Sequence, residues 1–180
     1  HAGERNDAVT CYVCHNVNRA SSGWSANAST FVHAIHGGSQ RSVDFNWHAA
    51  APGSSYASVT YPAILNNCEA CHVPGSYDFS NSTNAAALPN LLWTTTATGT
   101  LASTGSTYAY SPYITQDVNY GSGYSFNFGT ATPTDAAATT LVSSPLTAAC
   151  ASCHDSNVAL AHMRGNGGVF YGARSTMATT

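Results

Sequence analysis

Six cysteines and their placement constrain this chain more than any other feature of its 180 residues. All six fall into three copies of one pattern: Cys11-Tyr12-Val13-Cys14-His15, Cys68-Glu69-Ala70-Cys71-His72 and Cys150-Ala151-Ser152-Cys153-His154. C-x-x-C-H is the attachment signature of c-type haem. The chemistry demands this spacing, because two thiols must reach the two vinyl groups on one porphyrin edge while the next side chain reaches the iron. A zinc site pairs C-x-x-C units but needs no histidine directly after each. A redox dithiol would not recur three times in so short a chain. The pattern therefore implies three covalent haems c, held by Cys11, Cys14, Cys68, Cys71, Cys150 and Cys153, with His15, His72 and His154 as proximal ligands. No thiol is left over for a structural disulfide.

Composition agrees with an interior built around such groups. Charged residues make up 7% of the chain, and all five basic residues are arginine. Leu, Ile, Val, Met and Phe are too scattered to form a dense aliphatic core, so flat apolar cofactors would supply the interior. The expected fold is mostly irregular coil with short α-helices and a few short β-strands, organised around stacked haems as a single trihaem cytochrome domain. The net charge of −3 and the dispersed arginines argue against nucleic-acid binding. No apolar run approaches the roughly 18 residues of a membrane span. Haem attachment takes place beyond the cytoplasmic membrane, so the sites imply export. The first residue is His1 rather than Met and no signal-peptide pattern remains, which reads as a processed or excised product.

Five further histidines, His1, His33, His36, His48 and His162, are candidates for the distal side of the irons. Met163 and Met177 are the other soft ligands, and adjacency makes it hard for His162 and Met163 to face one cavity. His33 and His36 read as a short helix, N-capped by Ser29 or Thr30 and stopped by Gly37. Three apart on a helix, their side chains are neighbours and cannot take opposite faces of one iron, so each would ligate a different haem. His162 reads as part of a helix running from the third motif to Gly165. On that helix His154 and His162 lie about 12 Å apart along one side, which assigns His162 to a haem other than the one at Cys150 and Cys153. For His48, between Trp47 and a Pro/Gly turn, packing and ligation stand equal. His1 on its own reads as a frayed terminus.

Three stretches divide the chain. Residues 1–75 hold two haem motifs and the histidine helix; residues 76–148 hold neither Cys nor His and are rich in Thr, Ser, Gly and Tyr; residues 149–180 hold the third motif, its helix and a polar, irregular tail. In the middle stretch, Ser106–Tyr110 and Tyr124–Phe128 alternate in a way that suggests short strands or a hairpin in a packed excursion.

These pieces together resemble the OmcA/MtrC family of outer-membrane multihaem (decahaem) cytochromes of metal-reducing bacteria, and in particular part of one pentahaem domain. The resemblance rests on His1-Ala2-Gly3-Glu4-Arg5-Asn6-Asp7 before the first motif, Val32-His33-Ala34-Ile35-His36-Gly37-Gly38, Tyr61-Pro62 and Asn67 before the second motif with Val73-Pro74-Gly75 after it, and Asp155, Ala161-His162-Met163 and Asn166-Gly167-Gly168 after the third. It implies that His1, His33, His36 and His162 are distal ligands and that the haems are bis-histidine, low-spin and closely spaced. It also exposes a departure, since the family's haem domains carry five sites and this chain three. Four distal candidates then face three proximal histidines. The excess implies that one of them, His1 foremost, binds a haem of a neighbouring copy or of a flanking segment.

The function these observations imply is electron transfer rather than enzymatic turnover, because six-coordinate iron leaves no position for a substrate. The resemblance implies an extracellular or outer-cell-surface location, with the periplasm second. It implies copies of itself or other multihaem cytochromes as partners, a haem-wire assembly being one such arrangement, and metal oxides or soluble shuttles as acceptors. The rival function is a multihaem oxidoreductase with one open-site haem, which high-spin optical or EPR signals would reveal.

Overall fold

A computed structural model describes residues 7–80, 82–103 and 106–179. His1 lies outside the described residues. In chain order the elements are α1 (Ala8–Cys14), β1 (Ala20–Ser21), β2 (Trp24–Ser25), α2 (Ala28–His36), α3 (Ser82–Ala87), β3 (Thr94–Ala97), β4 (Ser125–Asn127), β5 (Thr132–Thr134), β6 (Leu141–Ser143), α4 (Pro145–Cys150), α5 (Asn157–Gly165) and β7 (Gly172–Ala173). Short 3₁₀ turns at Gly38–Gln40, Tyr56–Ser58, Cys68–Ala70, Leu88–Asn90 and Arg174–Thr179 link them. The architecture is thus small helices and short strands set in coil, as the composition led us to expect.

The centre is a three-stranded antiparallel sheet in the order β3-β6-β7, pairing Thr94 with Ser143, Thr95 with Val142 and Val142 with Gly172. The tail expected to be irregular therefore supplies an edge strand. Arg174 secures it, donating from Nε to Thr140 Oγ1 and from Nη2 to Thr95 Oγ1, both at 2.8 Å. The middle stretch forms one hairpin, β4-β5, with Phe126 opposite Pro133. Ser106–Tyr110 is turn and coil instead of strand.

Two kinds of residue fill the interior. An aromatic cluster of Trp24, Phe45 and Trp47, with Phe31, Tyr56 and Tyr113 packed on it, stands where aliphatic side chains would ordinarily be. Around the sheet, Thr94, Thr95, Thr96, Thr140 and Ser143 are buried. Most buried hydroxyls are hydrogen-bonded, as here between Thr94 and Asn27, Thr95 and Arg174, and Thr140 and the Ala137 carbonyl. Tyr113 and Tyr171 join this region, and burial pushes the Tyr113 phenol up to about 12 and Tyr171 higher still. For Tyr113 the neighbouring Asp155 carboxylate adds to the rise. A phenol whose folded pKa exceeds its unfolded value stabilises the fold below the unfolded value, and that contribution fades as pH climbs through the folded one. Stability should therefore decline between about pH 10 and 12, and Tyr113→Phe should flatten the decline in a series of thermal melts.

Candidate haem-attachment sites

The three C-x-x-C-H motifs share one backbone hydrogen bond although they sit in different surroundings. In each, the histidine N–H donates to the carbonyl of the first cysteine: His15 to Cys11 at 2.8 Å, His72 to Cys68 at 2.9 Å, His154 to Cys150 at 2.8 Å. This closes a single helical turn. Cysteines three apart on such a turn project side by side, and the histidine follows at the fourth position. At the first motif the turn ends α1, whose N-cap Asp7 accepts from Thr10 N at 3.2 Å and Thr10 Oγ1 at 2.8 Å, holding the Asp7 carboxyl below its ordinary range. At the second it is an isolated 3₁₀ turn in an exposed loop. At the third it follows directly on α4. None of the six cysteines is disulfide-bonded, and burial raises the thiol pKa of Cys150 and Cys153.

Three of the candidate histidine rings are oriented by backbone carbonyls. His15 Nδ1 lies 3.0 Å from Ala26 O, His33 Nδ1 2.7 Å from Ser29 O and His36 Nδ1 2.8 Å from Val32 O. A carbonyl can only accept, so in each neutral ring Nδ1 carries the proton and Nε2 is left as the lone-pair nitrogen. Such second bonds fix the tautomer and orientation of a metal-binding imidazole.

Helix α2 stands between the second and third motifs. The His33 ring lies near-parallel to that of His72, with centroids 5.9 Å apart and planes at 22°. On the other side, Cys153 Sγ lies 3.5 Å from His33 O. A Cβ on Gly37 would come within 2.8 Å of that sulfur, and one on Gly38 would collide with the Tyr56 carbonyl. The Gly-Gly after His36 thus does more than stop the helix. It lets the third motif close against the helix end. His36 is exposed, with Tyr61 edge-on at 5.6 Å, and the Tyr61 phenol lies beside the Cys71 sulfur, which raises its pKa. The N-cap of α2 is Asn27, not Ser29 or Thr30, because the helix begins one residue before Ser29.

At the third motif the geometry corrects two sequence expectations. Helix α5 starts at Asn157, with Ser156 as its cap, so His154 lies in the preceding turn and not on the helix of His162. The 12 Å separation along a shared helix no longer applies. Instead Cys150, His154 and His162 line one cavity of about 570 Å³, together with Leu88, Leu146 and Met163. His162 and Met163 therefore do border the same space, because it extends around α5. Met177 lies elsewhere, 3.6 Å from Arg174 Nη1. His48 is exposed at a backbone φ of +61°, its ring against Trp47 at 4.3 Å.

One pair of functional consequence was not foreseen from the sequence. The Arg41 and Asp155 side chains are only 3% and 1% exposed and pair at 3.0 Å. Asp155 Oδ1 accepts from Ser42 N at 2.7 Å and Oδ2 from Val43 N at 3.0 Å, while Arg41 donates to the carbonyls of Val43, Ala151 and Ser152. The residue after His154 is thereby fastened to the segment that follows α2. The signal was legible in principle: in a chain with so few charges, a charged residue next to a haem motif needs a partner.

The donor set suits haem c, with two thiols and a histidine on each turn. The exposed apolar residues agree. Val9, Val13, Ile64, Val73 and Val158 are each at least 70% exposed, and each lies within four residues of a motif. Large apolar side chains left outside the core at these places are surface that an attached porphyrin would cover. Across residues 1–180 the chain matches the family model for outer membrane cytochrome MtrC/MtrF-like, domains II/IV. The chain belongs to this family. No curated protein and no solved structure matches it. As an MtrC/MtrF-like outer-membrane cytochrome it is an electron-transport protein that carries covalent haem c, and its family implies multihaem extracellular electron transfer at the outer surface. Among the described residues no helix is long and apolar enough to cross a membrane.

Proposed function

We propose that residues 1–180 form a trihaem module that conducts electrons through bis-histidine haems stacked at close spacing. Haem supplies the reversible one-electron iron couple; the protein sets spacing, insulation and potential. The three shared C-x-x-C-H turns carry this reading. Intact-mass spectrometry of denatured protein should show three haem additions, and fewer would sink it.

The proposed ligand wiring is as follows. His15, His72 and His154 are proximal. His33 is the distal partner of His72: two imidazoles facing across one metal, with metal–N bonds of ~2 Å, have centroids roughly 6 Å apart, close to the 5.9 Å between these rings. His36, on the same helix, serves a different haem. His162 is a distal ligand facing the cavity at Cys150. With His1 as a fourth distal candidate, one histidine exceeds the three irons. We assign that excess to a haem of another copy or partner cytochrome, with metal oxides or soluble shuttles as terminal acceptors. A coordination list from the assembled protein decides this, and irons ligated wholly within isolated chains would overturn it.

A further inference from the structure

A cavity of about 30 Å³ lies between α2, β3 and the Arg41 side chain, bordered by Trp24, Phe45 and Tyr113. Two residues lining it, Thr30 on α2 and Thr96 on β3, have buried hydroxyl oxygens with no hydrogen-bond partner. Thr96 is only 3% exposed. Arg41 also lines the cavity. Of the five N–H groups of a guanidinium, Arg41 uses Nε–H on Val43 O, both Nη1–H on Ala151 O and Ser152 O, and one Nη2–H on Asp155. A second Nη2–H remains.

We propose that this cavity is a buried-water site, in which one water molecule bridges Thr30 Oγ1 and Thr96 Oγ1 with Arg41 Nη2–H as third partner. Its volume is ample for a water molecule, which needs roughly 10–15 Å³ of such space, and buried waters typically make two to four hydrogen bonds. On a largely apolar lining, the two unpaired hydroxyls and the guanidinium N–H supply the polar partners that a buried water needs. An anion is disfavoured because the Arg41 charge is already balanced by Asp155. The water ties the histidine helix, one turn before His33, to the sheet and to the clamp on the third motif. The site therefore helps fix where His33 and His36 stand.

Two measurements on the haem-loaded protein test this. A high-resolution crystal structure should show one water within hydrogen-bonding distance of both hydroxyls, and its loss in the T30V/T96V double variant. No such density in the parent, or density unchanged in the double variant, overturns the site. Thermal melts supply the second arm. If the water is present, Thr30→Val or Thr96→Val alone deprives it of a partner and lowers Tm by about 2–4 °C, and the double variant falls by less than the sum, since removing both polar partners together is nearly neutral. If the hydroxyls are simply unsatisfied, each single variant raises Tm and the increments add, which rejects the proposal.

Discussion

Replacing Asp155 with Leu is expected to destabilise the protein by about 3–5 kcal/mol, the cost of breaking a buried ion pair from one side. The Arg41 guanidinium would stay buried without its counter-charge, and the Ser42 and Val43 N–H groups would lose their acceptors. Domains of ordinary stability hold about 5–15 kcal/mol in total, so Tm should fall by roughly 6–20 °C. Arg41→Met should cost a similar amount. The R41M/D155L double variant should recover much of the loss, because a well-packed apolar pair can replace a buried ion pair at little cost. Melts followed by far-ultraviolet circular dichroism, with haem absorbance confirming equal loading, check this. A D155L protein that melts with the parent would show that the clamp contributes nothing.

The local shape of the cysteine and histidine segments was legible in the sequence: each C-x-x-C-H run closes one helical turn, and His33 and His36 share a helix because only three residues separate them. What depends on distant neighbours was not. Nothing near Gly37 announces that Cys153 will rest on it, and Arg41 and Asp155 find each other across more than a hundred residues. The start of α5 was misplaced for a similar reason. Asp155 looks like the first residue of a helix, yet its carboxylate is claimed by Arg41 and two backbone N–H groups, so Ser156 becomes the cap. The tail Gly167–Thr180 has no strand signature of its own. It pairs with β6 because Arg174 finds hydroxyls on two other segments.

Changing His33 to Met should raise the potential of one haem and leave at least one other unchanged. Methionine in place of an axial histidine favours the reduced iron, and axial ligation tunes haem potentials across about 0.8 V, so the shift should be easily resolved in an optical redox titration. The specificity follows from how the helix presents its rings. His33 and His36 are each locked by a bond from Nδ1 to a carbonyl four residues back, so neither can swing to take the other's place. His33 lies near-parallel to His72, whereas His36 projects at the exposed end of α2 against Tyr61. His36→Met should therefore move a different wave in the titration, and the double variant should show both shifts together. Such a pattern makes α2 a bridge that holds two haems at fixed spacing, the arrangement a conducting chain requires. Two single variants that perturb the same wave, or a double variant that strips both axial partners from one haem while sparing the rest, would show that the helix serves a single iron.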